Sequence, residues 1–314
     1  MLNQSSQVFS ASRFPLYSAE SIRRASLWYS IYGILGLVQF LGNMLVVIVI
    51  VWRKELHKKE YCLPALLGIT DTNMGVASIS ACIRRNYVIL VGQANYLVTQ
   101  WHCATQIDNT CCIISTAFNI VLPLAISIDR LLACSCIYTY NSFQVKQILC
   151  PTFVLSALVA APCFIGYIAV YLSPRTCIVP QICPIGYAVP SWLGIGITWL
   201  QVASGLLSIL LYGLALCFFR KNQSHANGVV FKAAQKRQQK VTVMLAGVCV
   251  CTFFLSTLPL AVVALSMTTS HSSLYIYIGP ICYALVNLNS TNNVIIYYYK
   301  NKVIRKAIRA IFSC

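Results

Sequence analysis

Ile126-Ser127-Ile128-Asp129-Arg130-Leu131-Leu132-Ala133 closes a stretch that opens at Cys103 and runs to Tyr138. Its interior, 107–128, is long and apolar enough to cross a bilayer, and an adjacent acid and base stand where the chain should emerge. Charges at that depth are costly, so a neighbouring Asp and Arg that neutralise one another can hold a helix bundle in one of two states. An Asp-Arg pair at a helix end is by itself most often a solvated terminus. It gains meaning only if polar residues recur at matching places elsewhere in the chain, and they do.

Hydrophobic residues make up 58% of the 314 positions and charged residues 9%, too few polar groups to cover a surface in water. The class this implies is an integral membrane protein. Seven apolar runs, about 27–52, 61–83, 107–138, 147–172, 192–219, 241–266 and 274–299, each reach the roughly 20 residues that ~30 Å of hydrocarbon demands of a helix. Lipid offers unpaired backbone groups no partner, so runs of this length must be helical. The expectation is an all-α membrane protein, a seven-transmembrane helix bundle over 27–299. An extracellular segment, 1–26, precedes it, and a cytoplasmic amphipathic helix and tail, 300–314, follows.

Of the 23 Lys and Arg residues, 17 fall on one side of these runs, beginning at Arg53, Arg130, Arg220 and Lys300, and six, including Arg84, Arg85 and Arg175, fall on the other. By the positive-inside rule the N-terminus is outside and the C-terminus in the cytoplasm, as for a multi-pass protein of the plasma membrane. The +17 balance therefore belongs to membrane flanks and not to a nucleic-acid surface. No apolar stretch precedes the first run, so no cleavable signal is expected, and Asn3-Gln4-Ser5 is an outward glycosylation sequon. Among 16 cysteines, Cys103, Cys177 and Cys183 lie on the oxidising side. A bridge from Cys103 to Cys177 or Cys183 would pin a loop over the mouth of the bundle, and spacing does not choose the partner. On the basic side, 231–240 reads as an extension of the sixth helix. Beyond it, Val303, Ile304, Ala307, Ile308, Ile311 and Phe312 share one face while Lys302, Arg305, Lys306 and Arg309 fall mainly on the other, with Cys314 a palmitoylation candidate.

Polar residues inside the runs are functional candidates by default. The first run carries Asn43, the second Asp71, and the seventh Leu288-Asn289-Ser290-Thr291-Asn292-Asn293-Val294-Ile295-Ile296-Tyr297. Amides bridging helices account well for Asn43, but Asp71 needs a cation or a proton. Asn43, Asp71, Asp129-Arg130 and the Leu-Asn-Ser-x-x-Asn-x-x-x-Tyr pattern of the seventh run together resemble the signature of rhodopsin-like (class A) G-protein-coupled receptors, over all seven runs. The tail Tyr297-Tyr298-Tyr299-Lys300-Asn301-Lys302 is also similar to nematode-type serpentine chemosensory receptors. There are departures: Leu131 follows Asp129-Arg130 where Tyr is usual, Val294 follows Asn293 where Pro is usual, and Thr257 stands where the sixth helix usually has Trp. Pro259 does match, and a kink is expected there.

The resemblance implies a receptor that binds an extracellular ligand, chemosensory or peptide, and activates a heterotrimeric G protein. It implies that Asp129 holds Arg130 in the inactive state and releases it towards Tyr212 and Tyr297 in the active one. It also implies that Asp71, Asn119, Asn289, Ser290 and Asn293 converge on a polar pocket. Carboxylate, amide and hydroxyl oxygens suit a hard cation such as Na+, and the rival occupant is water beside a neutral Asp71; no other cofactor is expected. Asp108, Cys112, Thr116, Tyr283 and Asn287 are expected to line the outer pocket, with Arg84 and Arg85 at its rim. Either arginine paired with Asp108 needs no ligand, and an acidic ligand held by arginine is the alternative. Asn287 stands where opsins keep a lysine, so retinal has no anchor, and Cys112 replaces the aspartate of monoamine receptors. A transporter or channel using Asp71, Asp108 and Asp129 as a proton or cation path is the competing class, but no repeated half is visible. Enzyme motifs such as HExxH or Gly-x-Ser-x-Gly are absent from the sequence.

Overall fold

The first long helix, α1, spans Ala19–Trp52 and starts before the apolar run at Leu27, because Ser18 accepts a hydrogen bond from the Ser21 backbone N–H and Glu20 sits in the first turn. It opens a computed structural model that describes residues 17–136, 140, 144–172, 178–223, 229–269 and 272–312. Asn3, Cys177 and Cys314 lie outside the described residues.

The long helices that follow are α2 (Cys62–Leu90), α3 (Ile107–Ser135), α4 (Val145–Leu172) and α5 (Ser191–Gln223). Next comes α6, in which Val229–Thr252 continues through a π-helical turn, Phe253–Thr257, into Leu258–Thr268, and then α7 (Ser272–Lys300). The π turn shows how the chain accommodates Pro259. Its ring removes a backbone donor, and one residue earlier the N–H of Leu258 reaches back to the carbonyl of Phe253. The basic stretch 231–240 is part of this helix.

Among the described residues, six helices, α1 to α6, are long and apolar enough to cross a membrane. The 29-residue α7 is as long, but Asn287, Asn289, Ser290, Thr291, Asn292 and Asn293 dilute its apolar character. The outward faces carry large bare side chains such as Ile34 (66% exposed), Leu158 (64%) and Leu210 (65%). Side chains of this kind on every long helix suit lipid and not water.

In lipid the hydrophobic effect does not drive helices together, so close packing and polar contacts must. Gly36 and Gly75 let α1 and α2 touch: a Cβ on Gly75 would lie 2.8 Å from the Gly36 carbonyl oxygen. Gln39 of α1, fully buried, donates to the Asp71 backbone carbonyl of α2 at 2.9 Å. Asn73 of α2 donates to Ser115 of α3 at 2.8 Å, and Ser204 of α5 donates to the Ile120 carbonyl of α3. Such interhelical hydrogen bonds contribute about 0.6 kcal/mol each on average, so the bundle rests on many of them.

At one end, strands β1 (Leu97–Thr99) and β2 (Ile178–Pro180) pair antiparallel with Val98 opposite Val179. This strand pair, called the hairpin although two long helices separate its strands in sequence, is tied by a disulfide from Cys183 to Cys103, in the short helix Gln100–Ala104 just ahead of α3, with their Cα atoms 5.3 Å apart. At the opposite end α7 breaks at Asn301, whose Oδ1 accepts from the backbone N–H of Val303 and Ile304 and so caps α8 (Lys302–Phe312). Ile304, Ala307 and Ile308 of α8 join a core that includes Val49 and Ile50 of α1 and Tyr297 of α7, while Lys302, Lys306 and Arg309 stay exposed.

Candidate functional site

The α8 end of the bundle holds a fully buried cation. Arg130 of α3 has 0% of its surface exposed. Its Nε donates to Asp129 Oδ2 at 2.9 Å, and its Nη2 pairs with the same oxygen. Nη2 also donates to the hydroxyl of Tyr140 at 2.9 Å, and that hydroxyl donates in turn to Asp129 Oδ1 at 3.0 Å. One phenol thus bridges acid and base. Lys59, ahead of α2, donates to the Tyr140 carbonyl and sets its ammonium 4.1 Å from the ring centroid. Burial holds the Tyr140 hydroxyl well above the ordinary phenol pKa, so it keeps the proton it gives to Asp129. Tyr212 of α5 is engaged elsewhere, donating to the Thr242 carbonyl of α6 at 2.5 Å. The Tyr297 hydroxyl is buried and meets no hydrogen-bond partner among the described residues.

Midway along the bundle, Asp71 of α2 faces α7. Its Oδ1 accepts from Ser290 Oγ at 2.7 Å and its Oδ2 from Asn293 Nδ2 at 3.1 Å. Asp71, Asn119, Asn289 and Ser290 line one small polar cavity with Gln201 and Ser256, and Asn293 borders the neighbouring one. Asn43 donates to the Gln39 and Ser290 carbonyls, fastening α1 to α7. The oxygens Asn289 Oδ1 and Asn293 Oδ1 are buried without a donor among the described residues.

At the hairpin end the outer set divides. Asp108 is buried and gripped by both arginines, Arg84 at 3.0 and 2.9 Å in a two-pronged pair and Arg85 at 2.9 Å. Arg84 also donates to the carbonyls of Gln181 and Cys183. Asn287 accepts from Ser78 at 3.1 Å and donates to the Tyr283 carbonyl, and Thr116 donates to the Cys112 carbonyl within its own helix. Asp108 therefore belongs to a clamp between α2 and α3, apart from the Asn287 contact between α2 and α7.

A family model for serpentine-type seven-transmembrane GPCR chemoreceptors, named Srsx, matches residues 36–312. The chain belongs to this family. The match runs from α1 through α8, so the Srsx assignment rests on the bundle as a whole. No curated protein matches the sequence at a significant level. The chain is thus a multi-pass membrane receptor of GPCR type from a chemosensory family, and that family is one of receptors and not of enzymes.

Sequence reasoning missed Tyr140 and Gln39. Tyr140 stands ten residues beyond Arg130, while Leu131 takes the place of the usual neighbouring phenol, and only the tertiary contact shows that Tyr140 returns to the pair. Gln39 carried a readable signal, a long amide in the middle of an apolar run.

Proposed function

We propose that this receptor binds an extracellular ligand at its hairpin end and activates a heterotrimeric G protein at its α8 end. In this reading it lies in the plasma membrane with the N-terminus outside, and α7 is the seventh span. The observation that carries it is Arg130, a fully buried cation at the basic end of the bundle, held by Asp129 and Tyr140. A buried charge held by its neighbour on the same helix and by one tyrosine ten residues on can be released by moving that tyrosine away. Release leaves Arg130 to seek other partners, and the family pattern names two: the Tyr297 hydroxyl, which has no partner among the described residues, and the Tyr212 hydroxyl. A buried hydroxyl without a partner costs about 1–3 kcal/mol, which favours a second state in which it finds one. Ligand outside and G protein inside must then favour the same state and raise each other's affinity equally.

The polar centre fits a sodium ion in the resting state. Two carboxylate oxygens of Asp71, the Ser290 hydroxyl and the undonated oxygens of Asn289 and Asn293 are hard ligands of the kind such a cation takes. Bound there, it would tie α2 to α7 and oppose their separation. The test of the whole reading is a panel of chemosensory compounds applied to cells carrying several G-protein reporters, with transport of ions measured in parallel. Reporter responses without ion flux support the receptor, and flux without reporter response supports a transporter.

A further inference from the structure

We propose that the ligand site at the hairpin end takes an anion, a carboxylic acid ionised at neutral pH and held by Arg84 and Arg85. This rests on the receptor reading above and adds the chemical class of its ligand. The inference begins with charge. Arg84 and Arg85 share one carboxylate, Asp108, so the buried cluster carries one positive charge in excess. The sequence holds six acids in all, Glu20, Glu55, Glu60, Asp71, Asp108 and Asp129. Glu20 pairs with Arg24 on the exposed start of α1, and Asp71 is held by Ser290 and Asn293 deeper in the bundle. Asp129 is committed to Arg130, and Glu55 and Glu60 stand beside Lys54 and Lys59 at the α8 end of the bundle. The chain has no second acid to neutralise the cluster.

The geometry of the arginines agrees. Arg85 is 8% exposed, its guanidinium carbon lies 5.0 Å from the Tyr29 ring centroid, and its Nε is buried with no hydrogen-bond partner among the described residues. Arg84 is the more open of the two, with 21% of its side chain exposed. Its contacts to the Gln181 and Cys183 carbonyls under the hairpin are long, 3.3 and 3.4 Å, and a stronger acceptor displaces them. A carboxylate brings two oxygens in the plane that a guanidinium fork presents, and it returns the cluster to neutrality. A cationic ligand would double the excess charge, and a neutral one would leave it. The same electrostatics gives the ligand a mechanical role, because Asp108 is the point at which α3 is clamped to both arginines of α2. A competing carboxylate loosens that clamp and changes the spacing of the two helices.

The test uses the full chain in lipid nanodiscs and thermal stability as the readout, so it needs no G protein. The probes are sodium butyrate, octanoate and benzoate, each beside its methyl ester and the matching primary amine, at fixed ionic strength set with sodium chloride. At least one carboxylate is expected to stabilise the chain where chloride, ester and amine do not. Arg84→Gln should weaken that binding about tenfold to a hundredfold, as for loss of hydrogen bonds to a charged group. Arg84→Lys, which keeps the charge and loses the fork, should fall between, and it serves if Arg84→Gln fails to fold. Asp108→Asn should tighten binding, since the competing carboxylate is gone. Stabilisation by amines or esters alone, stabilisation by none of the carboxylates, or acid binding unchanged in the Arg84 variants would each overturn the proposal. Ligand-free nucleotide exchange by Asp129→Asn reports coupling separately, so this proposal can fail while the receptor reading stands.

Discussion

Replacing Tyr140 by Phe takes one oxygen from the Arg130 cluster and leaves the ring in place. That hydroxyl donates to Asp129 at 3.0 Å and accepts from Arg130 at 2.9 Å, so two charge-assisted contacts disappear while the ring stays 4.1 Å from the Lys59 ammonium. Hydrogen bonds to charged groups contribute about 1.5–3 kcal/mol. Asp129 and Arg130 still hold one another, so the two losses together should come to about 1.5–3 kcal/mol and not to twice that. At about 1.4 kcal/mol per tenfold, the ratio of held to released Arg130 should fall roughly tenfold to a hundredfold. The assay is guanine-nucleotide exchange without ligand in membranes matched for surface expression. Tyr140→Phe should raise it, and Lys59→Ala, which removes the support of the ring, should raise it less. Basal exchange identical to the parent, in a preparation where Asp129→Asn is clearly elevated, would refute the bridging role of the phenol.

Cys103→Ala and Cys183→Ala should each lower surface expression by losing a bridge typically worth about 2–5 kcal/mol, while Cys177→Ala should not; equal loss in all three would count against the Cys103–Cys183 pairing. Gly75→Val places a side chain 2.8 Å from the Gly36 carbonyl and should cost about 1–3 kcal/mol, read as faster thermal inactivation in detergent, whereas a parent-like half-life would disprove the close approach of α1 and α2. Asp71→Asn removes the carboxylate that faces Ser290 and Asn293, so any weakening of agonist binding by sodium relative to a large organic cation should vanish. Persistent sodium sensitivity in that variant would move the cation elsewhere.

How much of this was legible without coordinates depends on the range of the interaction. Helices α1 to α6 follow from apolar runs alone, since lipid permits no other structure of that length. The start of α1 at Ala19 was not read, because a polar helical turn capped by Ser18 lies outside the hydropathy signal, though Ser18, Glu20 and Ser21 are an N-terminal pattern. A kink at Pro259 was expected, but not the π-helical turn ahead of it, in which the Leu258 N–H bonds to the Phe253 carbonyl. The three-residue strands of the hairpin gave no signal, since their pairing joins Leu97–Thr99 to Ile178–Pro180 across two long helices. For the same reason spacing could not choose Cys183, whereas the fold brings its Cα within 5.3 Å of that of Cys103. Around Asp71 the sequence pattern named Asn119, Asn289 and Ser290, which line one cavity with Asp71, and Asn293, which reaches Asp71 from the border of the neighbouring one, because helix periodicity fixes which face each occupies. Around Asp108 it offered one arginine or the other, and the structure uses both.

The measurement that bears most directly on the switch is nucleotide exchange on a purified heterotrimer by the chain in nanodiscs, comparing the parent, Asp129→Asn, and Asp129→Asn combined with Arg130→Ala. Loss of the restraint should raise exchange in the single variant, and loss of the arginine itself should return the double variant to the level of empty nanodiscs. Equal exchange by the single and double variants would contradict the claim that Arg130 is the group released to the G protein.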